Sequence, residues 1–317
     1  MLLAGCRLSE TDSTTVFAVF GTEVEIQLRD TGPRQSQAAY AEVGALLQRL
    51  HRELHPWEDG ALMDLNRAIA AGRTHETTPD IVELIDASRA LEAATDGAFN
   101  PAIGALVNLW GFHKSSYPIT DPPPAPGLVD ALLARAPSTR DLEVDGLVVR
   151  SANRAVRLDF SGIAKGLAVR RVCEAIGEHD VGAAMVNAGG DVMVCSVGDR
   201  PWRVAIRAPG GGVLETIEVH RPLAIFTSGN YYRYGEFDGE RYAHILDPAT
   251  GRPVDEIMQA TVIDPDPLLA DAGATALVVA GTDRWRHIAD SLEVERSMVI
   301  DAGGSVSSLD TAPESAR

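Results

Sequence analysis

Several things are scarce in this 317-residue sequence, and each scarcity narrows what the chain can be. It has three cysteines, Cys6, Cys173 and Cys195, with no CxxC pair, so neither a disulfide framework nor a thiolate metal site is suggested. Cys173 falls in a helical pattern and Cys195 in the strand-like "DVMVCSV", and both read as small buried apolar side chains. Positive charge is in deficit: the net charge of −17 opposes non-specific attraction to nucleic acid phosphates or anionic lipid. No run of residues is long and apolar enough to span a bilayer. Internal repeats and a clean domain boundary are missing too, while 45% hydrophobic content is ample for one large core or two closely joined lobes.

The start of the chain has two readings. "LLAGC", residues 2–6, matches the end of a bacterial lipoprotein signal, in which small residues precede a cysteine that is acylated after cleavage; otherwise it is a chance apolar start. Residues 1–13 are therefore set apart as a signal remnant or flexible segment, 14–304 as the folded domain, and 305–317, small and polar, as a tail that frays. "TTVFAVFGTEVEIQLRD" reads as a strand, and "RQSQAAYAEVGALLQRLHREL" as a helix from its apolar spacing. "TTPDIVELIDASRALEAATDG" is a capped helix, with Thr78 as cap, Pro79 in the first turn and Gly97 at the end. The proline-rich stretch 117–127 is a surface connection, and "GLVDALLARAP" a short helix. Strands then dominate to about residue 263, with Asp-Gly hairpin signals in "LEVDGLVVR" and "GEFDGERYAHIL". Helix returns in "LLADAGATALVVAG" and "DRWRHIADSLE", an α+β pattern with strands and helices partly segregated.

Five stretches set small residues beside a polar side chain: "DFSGIAKG" (159–166), "VNAGGD" (186–191), "TSGNYYRYG" (227–235), "HILDPATGRPV" (244–254) and "ADAGATAL" (270–277). Such backbone can approach a phosphate or a flavin and donate N–H groups. Singly each has an ordinary explanation: "NAGGD" as a bulge or turn, "PATG" as a type I turn, Asp271 as a helix cap. Asp271 and Thr275, however, are four apart, so on a helix a carboxylate and a hydroxyl face one way and can share an ion. Both are hard oxygen donors, which favour Mg²⁺, and Gly273 between them lowers helix propensity.

Taken in order, "FGTEVEIQL", "HPWEDGALMDLN", "DGAFNPAIGALVNLWGF", "DFSGIAKGLAV", "VNAGGDV", "TSGNYYR", "HILDPATGRPV" and "DAGATAL" resemble the successive signatures of the ApbE family of FAD:protein FMN transferases, over nearly the whole chain. The resemblance implies an ApbE-like α+β fold, with mixed and antiparallel sheets, flanking helices and a ligand cleft between lobes. It implies cleavage of FAD, transfer of its FMN half through the phosphate to a threonine or serine of a target flavoprotein, and release of AMP. It implies Mg²⁺ held by Asp271, Thr275 and the main-chain carbonyl of Gly162, with Asp159 and Lys165 facing the FAD. Phe20, Trp57, Ala98, Phe99, Asn100 and Leu246 would line the pocket, and His244 would take the proton from the incoming hydroxyl, as a side chain with a pKa near neutrality can. Partners are then FAD and the acceptor protein, with no nucleic acid, and membrane contact only through a lipid at Cys6. A lipidated chain would sit on the outer face of the bacterial cell membrane.

Three positions depart from some relatives. Ser161 replaces a glycine, Asn100 replaces an acid, and Trp57 replaces a tyrosine. The other histidines, His51, His55, His75, His113, His179, His220 and His287, have no comparable motif and read as surface or structural. Two other functions fit the same pocket: Mg²⁺-dependent hydrolysis of FAD to FMN and AMP, and a flavin-binding lipoprotein without turnover.

Overall fold

A computed structural model describes residues 12–114, 116–231 and 233–311. Cys6 and most of the proposed signal remnant lie outside the described residues. The chain opens on an antiparallel hairpin, β1 (Ser13–Val19) and β2 (Thr22–Arg29). The single strand expected there is two, because Phe20 (φ 55°) and Gly21 (φ 68°) both take left-handed backbone, as a two-residue hairpin turn requires. Next come α1 (Pro33–Leu54), α2 (Ala61–Ala70), the short β3 (His75–Glu76) and α3 (Pro79–Ala94). At the start of α3, Thr78 Oγ1 accepts from the Ile81 N–H, and Ile81, Leu84, Ile85, Ser88 and Leu91 are buried as the spacing predicts.

Beyond α4 (Gly104–Leu109), the proline-rich stretch leads into α5 (Pro126–Leu133) and the hairpin β4 (Leu142–Asp145) and β5 (Val148–Ser151). Then follow α6 (Ala164–Gly177), β6 (Ala183–Ala188), β7 (Asp191–Ser196), β8 (Trp202–Arg207), β9 (Val213–Val219), β10 (Leu223–Gly229), β11 (Tyr234–Phe237), β12 (Glu240–Ala243) and β13 (Ile257–Asp264). The described chain ends with α7 (Pro267–Leu292), β14 (Arg296–Asp301) and β15 (Val306–Asp310).

Eight strands form one sheet in the order β1-β2-β6-β7-β10-β13-β14-β15, every neighbouring pair antiparallel. Both faces of its centre are covered, which is why these strands read as nearly continuous apolar runs. Ala184, Val186, Ala224 and Phe226 point into the main core with α6 and α7, while Ala183, Val194, Leu223 and Ile225 pack with Trp202, Val204 and Ile206 of the β8–β9 hairpin. The class is α+β, as the pattern predicts.

Three local findings stand out. Helix α7 is kinked at Gly281 (φ 69°, ψ −177°), where the Glu256 carboxylate accepts from the Thr282 N–H (3.0 Å) and hydroxyl (3.1 Å) and so caps the second half. The two helices expected there are the two halves. Cys173 and Cys195 correct the cysteine reading: they form a disulfide, with a Cα–Cα distance of 5.3 Å, joining α6 to β7. Closing a loop of sequence separation 22 contributes about 3 kcal/mol in the chain-entropy account. The third correction is β15. Part of the expected fraying tail pairs with β14 and is tied down by the ion pair between Arg296 and Asp310.

Candidate active site

The glycine turn before α6 is the hub. Asp159 Oδ1 accepts from the Ser161 N–H (2.9 Å) and hydroxyl (2.5 Å), closing the local turn that an Asp followed two residues on by a donor favours. The Ile163 and Ala164 N–H groups then bond the Phe160 carbonyl, and the helix begins. Two glycines permit close approach. A Cβ on Gly166 would lie 2.4 Å from the Pro267 carbonyl oxygen, so α6 rests backbone to backbone on the start of α7. A Cβ on Gly162 would lie 3.4 Å from Thr275 Oγ1 and 3.4 Å from the Phe99 ring.

Helix α7 is capped by Asp266, whose side chain accepts from the Leu268 N–H at 2.9 Å, and Asp271 is therefore no cap. It lies one turn further in, buried, with Oδ2 accepting from the Gly166 N–H at 2.8 Å. Thr275, one turn beyond, places its hydroxyl 3.0 Å from Ser228 Oγ at the end of β10. Gly162 thus lies beside Thr275, and Asp271 beside Gly166, where the start of α6 crosses α7 near the end of β10.

The electrostatics there are unusual. Burial pushes Asp271 up to about 6, Lys165 pulls against that shift, and the Asp191 carboxylate adds to it. Burial alone would lower Lys165, but Asp191 and Asp271 outweigh it and its pKa is raised. Lys165 Nζ is ion-paired with Asp191, whose other oxygen accepts from the Thr227 N–H at 2.8 Å.

His244 arrives from another direction. It follows β12, and Arg233 precedes β11, so the two flank the base of one hairpin. His244 Nδ1 lies 3.0 Å from the Arg233 carbonyl oxygen. A carbonyl can only accept, so Nδ1 carries the proton and Nε2 is left with a free lone pair. Burial, then the charges of Arg233 and Lys165, lower the His244 pKa to about 4, and the ring is neutral at physiological pH.

A row of rings forms a further wall: Phe20–His51 at 5.5 Å, His51–His55 at 5.3 Å and His55–Trp57 at 4.9 Å, all edge to face. His51 Nδ1 accepts from the Phe20 N–H at 3.3 Å, and His55 Nδ1 from the Glu58 N–H at 3.0 Å. Burial lowers the His55 pKa, against Glu58. An open cavity of about 570 Å³, lined by Ala18, Val19, Gly21, Thr22, Glu23 and His51, adjoins this wall.

Not every expected pocket residue is free to reach a ligand. Ala98 and Phe99 are buried, Phe99 against Gly162. The Asn100 amide is committed at both ends, donating to the Pro137 carbonyl (3.0 Å) and accepting from the Ala102 N–H (2.9 Å). Leu246 sits in a satellite core with Ile103, Leu106, Phe112, Ile119 and Val129. The "PATG" stretch is a turn held by Asp247, which accepts from the Ala249 N–H and the Thr250 hydroxyl. Residues passed over in the sequence also belong here: Asp191, Arg233, Ser228, His51 and His55. The two histidines had a signal, since they are four apart at the end of a helix that runs into Trp57.

Among the described residues no three His, Cys, Asp or Glu side chains converge as a metal cage. The donors at hand are one carboxylate, one hydroxyl and the main chain at Gly162, all oxygen. That set fits Mg²⁺, which characteristically takes one or two carboxylates from the protein and the rest from water and substrate phosphates.

Residues 20–306 match the family described as the ApbE family. The chain is 39% identical over 300 residues to the FAD:protein FMN transferase of Rhodobacter capsulatus, covering 93% of this chain but only 56% of that relative. It is 30% identical over 309 residues to the FAD:protein FMN transferase of Vibrio cholerae, covering 95% and 91% of the two chains. Two crystal structures are similar throughout. The ApbE protein of Thermotoga maritima has a TM-score of 0.82 at 28% identity, covering 94% and 96%. The Pseudomonas stutzeri flavinyl transferase ApbE, in its apo form, has a TM-score of 0.81 at 29% identity, covering 95% of each chain.

Proposed function

The chain belongs to the ApbE family, and from that premise we propose that it is a transferase that moves the FMN half of FAD onto a serine or threonine hydroxyl of a target flavoprotein and releases AMP. The observation that supports the reading is that Gly162 lies beside Thr275 while Asp271, one turn from Thr275, bonds the Gly166 N–H next to the charged Lys165, with a neutral histidine as the available base.

In the reaction, the acceptor oxygen forms a bond to the FMN phosphorus as the bond from that phosphorus to the bridging oxygen breaks, and AMP leaves with the electron pair. The hydroxyl proton passes to His244 Nε2, the ring atom left unprotonated by the bond at Nδ1. Asp271, Thr275 and the Gly162 main chain would hold Mg²⁺, which when bound neutralises charge on the phosphoryl oxygens. Lys165, fixed by Asp191, holds a positive charge beside the same group. The ring wall from Phe20 to Trp57 offers edges and faces against which a flavin or adenine can pack.

The test combines the full chain with FAD, Mg²⁺ and a flavoprotein domain carrying the acceptor hydroxyl. Covalent flavin on the acceptor, with AMP released in equal amount, is the expected result. AMP without attached flavin would make the chain a hydrolase, and FAD binding with neither product would leave only a flavin-binding protein.

We further propose that Cys6 is lipidated and places the enzyme on the outer face of the cell membrane. The Cys173–Cys195 disulfide supports this, since such bonds persist in oxidising compartments. Among the described residues no helix is long and apolar enough to cross a membrane. The mass of the mature chain from a membrane fraction should show diacylglycerol on Cys6, and an unmodified amino terminus upstream of Cys6 would refute the anchor.

A further inference from the structure

Resting on the transferase reading, we infer that Arg233 is the residue that recognises the diphosphate of the dinucleotide, adding to Lys165 a second positive charge that no carboxylate among the described residues neutralises.

Two cations face this region, and they differ in what surrounds them. Lys165 is ion-paired with Asp191 and also feels the charge of Asp271, so two carboxylates already draw on its charge. Arg233 has no carboxylate partner among the described residues. Neighbouring cations are engaged: Arg241 lies 3.5 Å over the Tyr234 ring and donates to the Tyr231 carbonyl, and Lys114 pairs with Asp121. The Arg233 guanidinium is 5.8 Å from the Tyr117 ring centroid, at the outer edge of cation–π range, a contact that leaves its charge without a carboxylate.

The place where it lies is built to admit it. A Cβ on Gly21 would sit 3.3 Å from Arg233 Nη2, so the turn between β1 and β2 keeps its inner face bare where the guanidinium passes. That turn is flanked by Phe20, the first ring of the aromatic wall. The Arg233 main chain at the same time holds His244 through its carbonyl. One residue therefore links the base, the ring wall and an uncompensated charge. A guanidinium presents a planar fork that matches two phosphate oxygens, whereas an ammonium meets them as a point charge.

The test compares FAD with riboflavin, which has the same ring system and no phosphate. Arg233→Met keeps the main-chain carbonyl that holds His244, and thermal melting of each variant checks the fold. For Arg233→Met the FAD dissociation constant should rise about ten- to a hundredfold, the range for a lost charge-assisted hydrogen bond, with riboflavin affinity unchanged. Arg233→Lys should recover part of the FAD affinity. Equal weakening of both flavins in a folded Arg233→Met variant, or no change in either, overturns the inference. A parent chain that binds FAD tightly but transfers nothing would instead defeat the transferase reading, and leaves the flavin comparison able to decide the role of Arg233.

Discussion

Replacing Asp271 with Asn should abolish Mg²⁺-dependent flavin transfer and leave the protein folded. The amide oxygen can still accept from the Gly166 N–H, which Asp271 Oδ2 meets at 2.8 Å, so the contact between α6 and α7 survives. What disappears is the carboxylate of the proposed set Gly162, Asp271 and Thr275. A cation that stabilises transition-state charge is worth several kcal/mol, so the rate should fall on the order of a thousandfold or more. Stability should move the other way. The folded pKa of about 6 lies above the ordinary carboxylate value because burial disfavours the charge. Above that pH the ionised side chain costs the fold stability, and a neutral amide removes that cost. Transfer rates across a Mg²⁺ titration, with thermal melts at pH 7.5, check both halves. A variant that keeps its rate within about tenfold would remove Asp271 from the ion site.

His244→Ala should lower turnover about a hundred- to ten-thousandfold, the usual range for a lost general base, with little change in FAD affinity. The pH dependence is more particular. With a pKa near 4 in the fold, His244 remains unprotonated well below neutrality, so the acid limb of kcat/KM attributable to it should fall near pH 4 and not near 6.5. The same shift acts on stability. The folded pKa is depressed below the unfolded value, so between pH 6.5 and 4 the unfolded chain takes up the proton more readily. The fold is therefore penalised progressively as pH falls through that window, by up to about 3 kcal/mol at its lower end. His244→Gln should remove that part of the acid sensitivity. A limb near pH 6 belongs to Asp271, whereas a limb near pH 4 that survives in His244→Gln would assign the base elsewhere.

Local chemistry was legible in the sequence, and long-range pairing was not. The Thr78 cap, the Asp-Gly hairpins and the break at Gly281 are carried by residues within a few positions of one another. The i, i+4 spacing put Asp271 and Thr275 on one face, and the structure sets Gly162 beside Thr275. Resemblance, not periodicity, pointed to that glycine. Lys165 was expected to face the ligand, but its pairing with Asp191 joins a helix start to a strand start 26 residues away, which no local pattern encodes. The Cys173–Cys195 bond escaped for the same reason. Arg233 lies within "TSGNYYRYG", yet its importance depends on having no carboxylate partner among the described residues, which only the packed chain reveals. The first hairpin was missed because Phe20 adopts a backbone conformation that its side chain gives no reason to expect.

The bare contact at Gly166 sets how this enzyme can diversify. With no side chain between α6 and the Pro267 carbonyl, the spacing from Lys165 to Asp271 is a property of two main chains. It cannot be adjusted by exchanging one rotamer or one methyl group for another. Any change of substrate must then come from the periphery, through the hairpin that carries Arg233 and His244 and through the ring wall, around a centre whose dimensions are effectively locked.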